Sequence, residues 1–182
     1  MVYLILGVLI WAFSHLMKRV TPGLRASLGD GPGKAAVSLL SFVALGLMIY
    51  GYRHADVIVL WSPPPFLRHI NNLLMVVAVL LLNLKANRGR GRALMRHPML
   101  TAVKTWALAH LLVNGDLASV ILFGGILAWA VLDVILINRM EPAWDRPAAG
   151  PVVNDVIYVV ASGVLFGVIV AIHNWLGYWP LG

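Results

Sequence analysis

The chain alternates long apolar stretches with short connections that carry most of its charges. Six stretches with few or no charges follow one another at residues 2–17, 35–52, 70–84, 98–113, 117–132 and 156–175. A helix needs about 20 residues to cross the hydrocarbon core of a bilayer, and charged side chains at the ends of a shorter stretch can reach the polar surface. The pattern therefore predicts an all-α membrane bundle of about six transmembrane helices, forming one domain over residues 1–182.

Composition supports this prediction and removes several functional classes. Of the 182 residues, 60% are hydrophobic and 12% are charged, whereas soluble domains average about 45–50% and about 25%. The sequence contains no cysteine, which excludes disulfides, iron–sulfur clusters, thiolate zinc sites and cysteine nucleophiles. A metal centre would have to use histidine, methionine or carboxylate ligands. The first stretch lacks the basic start and the cleavage site of a signal peptide, so we expect it to be retained.

The basic residues are distributed unevenly between alternate connections. Lysine and arginine outnumber aspartate and glutamate, giving a net charge of +7, and 11 of the 14 basic residues fall in the first, third and fifth connections. The second connection holds Arg53 and Arg68, and the fourth, residues 114–116, holds none. Because basic connections stay cytoplasmic, both termini are predicted to face outward. The positive charge then sets the topology, and the lipid bilayer rather than nucleic acid is the expected partner.

Ionisable side chains within the apolar stretches are candidates for function, because burying them is costly unless they are paired. Five residues meet this description: His15, His97, Lys104, His110 and Asp133. Three further histidines, His54, His69 and His173, fall near the predicted outer surface. We interpret His54 and His173 as interfacial side chains.

His15 and His110 share a local pattern. Each follows a tryptophan by four residues, Trp11 and Trp106 respectively, and an alanine by three. Residues three and four apart lie on one helix face, and such a face suits a flat, bulky ligand. Two histidines hydrogen-bonded within the bundle are the structural alternative.

The tight turn at residues 114–116 predicts an antiparallel hairpin of the fourth and fifth transmembrane helices. His97 and Asp133 are equally far from Gly115 along the chain and are therefore predicted to share a height. A carboxylate at that height can accept the imidazole proton and fix its tautomer, with Lys104 or Arg96 near enough to offset the charge. These four residues, His97, Lys104, Asp133 and Arg96, are predicted to form a buried polar layer, which serves either a function or only the stability of the bundle.

Two segments resemble the NnrU family of small bacterial inner-membrane proteins. One reads RHPMLTAVKTWALAHLLVNGDLAS over residues 96–119, and the other reads LWSPP over residues 60–64 and is followed by Arg68 and His69. The likeness reaches back to His15 and covers about residues 10 to 140. It implies a multi-pass protein of the bacterial inner membrane with a role in denitrification or nitric oxide metabolism.

The same segments resemble the 15-cis-zeta-carotene isomerases, which are membrane proteins that use haem b. This resemblance implies that His15 and His110 are the two axial ligands of a haem b, with Trp11 and Trp106 beside it. Those isomerases carry a cysteine at the position of Ala107. Thiolate ligation of the iron therefore does not carry over to this chain.

The depths of the histidines leave other ligand pairs open. His15 is near the cytoplasmic end of its predicted helix and His110 near the outward end, so helix rise separates their heights by roughly 10 Å. Pairing by depth would instead combine His15 with His97, or His110 with His69.

Functions from other classes remain open at this stage. A haem-dependent cis–trans isomerase would act on a long polyene, which makes an apolar small molecule a candidate partner. Arg96-His97-Pro98 also resembles the cofactor segment of isoprenylcysteine-type methyltransferases, but residues 138–145 lack the paired glutamates of those enzymes. A third alternative is a non-enzymatic membrane assembly factor. The sequence does not decide whether the protein is an enzyme.

Overall fold

The computed structural model describes residues 1–181, and this part of the chain is an all-α bundle, as predicted. The seven α-helices are α1 (Val2–Val20), α2 (Pro22–Ser27), α3 (Asp30–Arg53), α4 (Leu67–Asn83), α5 (Pro98–Val113), α6 (Leu117–Met140) and α7 (Val152–Trp175). Two short 3-10 turns, Leu84–Ala86 and Gly91–Ala93, lie between α4 and α5. Within α6, residues Val120–Gly124 form a π-helical segment.

Five of these helices are long and apolar enough to cross a membrane: α1, α3, α4 with its extension to Ala86, α6 and α7. Of the six predicted transmembrane helices, five therefore have the length and composition to span a membrane. The remaining helix, α5, has its predicted bounds but only 16 residues. Several helices exceed their apolar stretches because polar residues continue them. In α1, for example, Lys18 and Arg19 occupy the last turn, where positive charges are stabilised by the negative end of the helix dipole.

The bundle has two ends that differ in charge. At the turn end, residues 114–116 join α5 to α6, and α3 and α7 finish; at the loop end, residues 84–97 join α4 to α5 and residues 141–151 join α6 to α7. The loop end carries 11 of the 14 basic residues, and the turn end carries Arg53 and Arg68. The orientation prediction depends on this asymmetry.

The core lies where α1, α3 and α6 meet. Its buried members are Leu4, Val8, Met48, Ala118, Ile126, Trp129 and Ala130. Helices α1 and α3 approach each other closely, since a Cβ added at Gly51 would meet the backbone of Leu4. Small residues at such crossings allow the backbone contact on which helix packing in membranes depends.

Helix α7 has fewer buried residues than the other long helices. Its fully buried residue is Ser162, and many of its valines and isoleucines are exposed. It packs against α4, where the hydroxyl of Tyr158 donates to the carbonyl oxygen of Leu80. Two cavities lie between α7 and the α4–α5 pair.

An extended segment covers the turn between α5 and α6. The backbone amides of Leu60 and Trp61 donate to the carbonyl oxygen of Gly115, at 2.8 and 3.1 Å, and the amide of Leu117 donates to Ile58 at 2.9 Å. Residues 57–62 form this segment and lie directly over the turn. A Cβ at Gly115 would collide with the carbonyl of Trp61, so the contact requires glycine.

Candidate functional site

A cavity of about 450 Å³ at the turn end is lined by histidine, arginine and asparagine side chains, and we call it the turn-end cavity. Its apolar wall includes Met75, Phe123, Phe166, Ile169 and Val170. Its polar rim includes Arg68, Asn71, Asn72, Asn114 and Tyr178. Two histidines, His110 of α5 and His173 of α7, also line it. An apolar floor with a polar rim fits an amphipathic ligand.

His110 is held by aromatic side chains. Its ring stacks on Phe123 with a centroid distance of 4.4 Å and an interplanar angle of 8°, and it meets Trp106 edge-on at 5.2 Å. Among residues 1–181 the ring nitrogens of His110 have no hydrogen-bond partner. Phe123 belongs to the π-helical segment of α6, and such segments are frequent at functional sites. The orientation of the imidazole is thus fixed by packing while its nitrogens stay available.

His173 is a site residue that the sequence analysis set aside as interfacial. The side chain is half-buried, and its Nδ1 lies 2.8 Å from the carbonyl oxygen of Ile169. The helical spacing of Phe166, Ile169 and His173 puts all three on one face of α7, and all three line the turn-end cavity. That shared face is the sequence signal that could have identified His173.

A second cavity of about 280 Å³ adjoins the first and is nearly all apolar. The two share Met75, Ile169 and His173 as lining residues. Trp106, expected beside a ligand, lines this second cavity. The two cavities therefore form neighbouring parts of one region between α4, α5 and α7.

The rim of the turn-end cavity contains an unpaired buried polar atom. Asn71 is only 8% exposed, its Nδ2 donates to Asn72 at 3.2 Å, and its Oδ1 has no partner among residues 1–181. A buried polar atom of this kind normally has a partner from protein, water or ligand. The wall of the cavity thus offers a hydrogen-bonding position to a bound molecule.

His15 lies elsewhere in the bundle. Its ring stacks on Trp11 at 4.3 Å and meets Trp129 at 5.0 Å, and its Nδ1 lies 2.9 Å from the carbonyl oxygen of Trp11. The indole N–H groups of Trp11 and Trp129 are buried and without partners in residues 1–181. The structure therefore joins His15 to Trp11 as the helical spacing predicts, but His15 is not among the residues that line the turn-end cavity.

The two histidines of the expected haem pair contact α6 at different places. His110 lies against Phe123 and His15 against Trp129. Six residues of helix separate these aromatic residues, which corresponds to about 9 Å along the axis and about 120° around it.

The predicted polar layer is distributed over several pairs at the loop end. Asp133 is buried and pairs with Arg19 of α1, with 3.1 Å between carboxylate oxygen and guanidinium nitrogen. His97 instead lies 2.8 Å from the Oδ1 of Asn138. Lys104 is half-buried, and the part of the chain that the structure describes gives it no ion pair. The contact of Asp133 with Arg19 was not foreseen.

Arg96, part of the element that resembles a methyltransferase segment, has a structural contact in this fold. Its guanidinium donates to the carbonyl oxygens of Glu141 and Pro142, just after α6 ends. The Arg96-His97 element thereby ties the start of α5 to the end of α6. His69, an alternative haem ligand, is exposed at the start of α4 and does not line the turn-end cavity.

Comparisons with known proteins identify one family. A family model described as NnrU protein matches residues 3–180. No curated protein and no solved structure matches the chain. Over residues 1–181 the structure contains no cluster of three histidine or acidic side chains that could hold a metal ion.

Proposed function

The chain belongs to the NnrU family, and we propose that it binds a haem b at the turn end of its membrane bundle, with His110 as an axial ligand. The observation that carries the proposal is the imidazole of His110, clamped between aromatic rings in the wall of a 450 Å³ cavity. Resemblance to haem-dependent membrane isomerases supplies the identity of the group. The bacterial inner membrane is the proposed location.

The residues around this cavity fit a haem b in three respects. Met75, Phe166 and Val170 provide apolar contacts for a macrocycle. The guanidinium of Arg68 at the rim is suited to the two propionate groups, because arginine forms charge-assisted hydrogen bonds to carboxylates. The unpaired Oδ1 of Asn71, which is an acceptor, would take a hydrogen bond from a protonated propionate.

The protein's own residues would control what happens at this site. Stacking of Phe123 on His110 orients the imidazole, and apolar side chains form much of the cavity wall beside it. When bound, a b-type haem supplies one-electron redox chemistry and, with an open coordination position, binding of diatomic gases. A redox or nitric-oxide-responsive role in denitrification-related metabolism is the function we propose for the family member described here.

A second candidate function follows from the neighbouring apolar cavity. Its wall is formed almost entirely by aliphatic side chains together with Trp106, and it shares His173 with the turn-end cavity. A long polyene could occupy this space beside the haem, so haem-dependent cis–trans isomerisation is the alternative activity. Conversion of a cis polyene by the purified protein would support the isomerase, and an unchanged isomer ratio would favour the redox role.

The haem proposal is tested by purifying the protein after expression with ample haem. We expect a Soret band and the pyridine haemochrome spectrum of haem b in the wild type, and loss or strong change of both in His110→Ala. His54→Ala is the matched control, because His54 is also at the turn end but stacks on Tyr50 outside the cavity. A colourless, folded wild-type protein would refute the proposal and favour a membrane assembly factor.

A further inference from the structure

We infer that His173 of α7 is the second axial ligand and acts together with His110. This inference rests on the proposed function, because it completes the coordination of the same haem site. It departs from the pair that the resemblance implies, in which His15 accompanies His110.

The shared cavity is the first argument. His110 and His173 come from different helices, α5 and α7, yet both line the turn-end cavity. Both also lie near the turn-end termini of their helices, three residues before Val113 and two before Trp175. The two imidazoles therefore occupy similar depths, which removes the difference in height that affects His15 and His110.

The hydrogen bond of His173 prepares it for metal binding. Its Nδ1 lies 2.8 Å from the carbonyl oxygen of Ile169, an arrangement that holds the ring proton on Nδ1 and leaves Nε2 free to bind a metal. His15 has an equivalent hydrogen bond to Trp11 at 2.9 Å. This hydrogen bond therefore leaves Nε2 free in both His173 and His15. The choice of second ligand depends on where each ring lies relative to His110.

Position favours His173. Two nitrogens that share one metal ion are about 4 Å apart, given metal–nitrogen bonds of about 2 Å. His15 and His110 contact α6 at Trp129 and Phe123, about 9 Å apart along the helix and on different faces.

The small number of buried residues in α7 allows this helix to adjust to a bound group. Only Ser162 of this helix is buried among the described residues, and the cavities separate it from α5. Ligation by His173 would add a direct link between α7 and α5 through the metal. We therefore expect haem binding to hold α7 against the bundle.

The test compares His173→Gly, His15→Ala and the control His54→Ala, all purified from haem-replete cells in the same detergent. Absorption and electron paramagnetic resonance spectra report the spin state, and carbon monoxide reports an open position on the reduced iron. We expect low-spin spectra and no carbon monoxide adduct in the wild type, His15→Ala and His54→Ala. His173→Gly should become high-spin, bind carbon monoxide, and return to low spin when imidazole is added.

Imidazole keeps the test informative if His173→Gly loses its haem. Recovery of low-spin haem on adding haemin and imidazole to the folded variant would support the inference, and failure to recover it would overturn it. An unchanged spectrum in His173→Gly would also overturn it, as would high-spin haem in His15→Ala. In those cases the haem proposal would survive, whereas a wild-type protein without haem would refute both.

Discussion

At the scale of single residues, the loop end depends on an ion pair buried between α1 and α6. The side chains of Arg19 and Asp133 are only 17% and 11% exposed, and their charged atoms are 3.1 Å apart. Asp133→Asn should lower the free energy of unfolding by about 3–5 kcal/mol, because it leaves the guanidinium without its counter-charge. Thermal unfolding in detergent measures this effect.

The matched control for this ion pair removes both charges. The double variant Arg19→Gln and Asp133→Asn should recover part of the lost stability, because no uncompensated charge remains. Equal unfolding temperatures for wild type and Asp133→Asn would show that the pair contributes nothing to the fold.

Gly115 is a second residue whose identity the packing dictates. In Gly115→Ala the new methyl group would meet the carbonyl of Trp61, so the segment over the turn must shift, at a cost of about 1–3 kcal/mol. Gly163→Ala in α7 is the control, since a Cβ there meets nothing within 4 Å. We expect a lower unfolding temperature for Gly115→Ala only. Equal temperatures in the two variants would contradict the close contact.

The sequence identified several of the important side chains but not all of their partners. Asp133 was found because a carboxylate inside an apolar stretch is unusual, whereas Arg19 was counted with the basic residues that set topology. Only the packing of α1 against α6 brings them together. His97 was matched by chain distance to Asp133, and its hydrogen-bond partner, Asn138, was not identified.

At the scale of elements, the connection between α4 and α5 is fixed to the first turn of α7. The carboxylate of Asp155 accepts hydrogen bonds from Asn87 Nδ2 at 2.7 Å and from the amides of Arg90 and Gly91 at 2.9 and 3.0 Å. Asp155→Ala should therefore release this connection, and the amides of Arg90 and Gly91 should exchange hydrogen faster. Hydrogen-exchange mass spectrometry with Asp145→Ala as the control checks this result, and unchanged exchange in Asp155→Ala would contradict it.

The long helices and α5 were predictable because each is marked by an apolar stretch, whereas the short helix α2 has none. Their ends were less predictable, since polar residues extend α3 back to Asp30 and α6 forward to Met140. The π-helical segment has no signature in the hydrophobic pattern. His173 was interpreted as interfacial because it lies near the outward end of its helix, whereas its place in the wall of the cavities between α7 and α5 is visible only in the folded structure.

At the scale of the whole molecule, the charge asymmetry between the two ends predicts the orientation in the membrane. The loop end should be cytoplasmic, because it carries 11 of the 14 basic residues. Reporter fusions after Gly182 and within residues 88–92 should then report opposite compartments. The same compartment for both would show that the number of crossings between them is even, as it would be if α5 did not cross the membrane.

The central claim is that the turn-end cavity binds a haem b through His110. The most direct measurement is a titration of haemin into the purified, haem-free protein in lipid nanodiscs, followed by absorption spectroscopy. We predict saturation at one equivalent with a low-spin spectrum, and loss of saturable binding or a high-spin spectrum in His110→Ala. A wild-type protein that shows no saturable binding, or a His110→Ala variant that binds haemin with an unchanged low-spin spectrum, would contradict the claim.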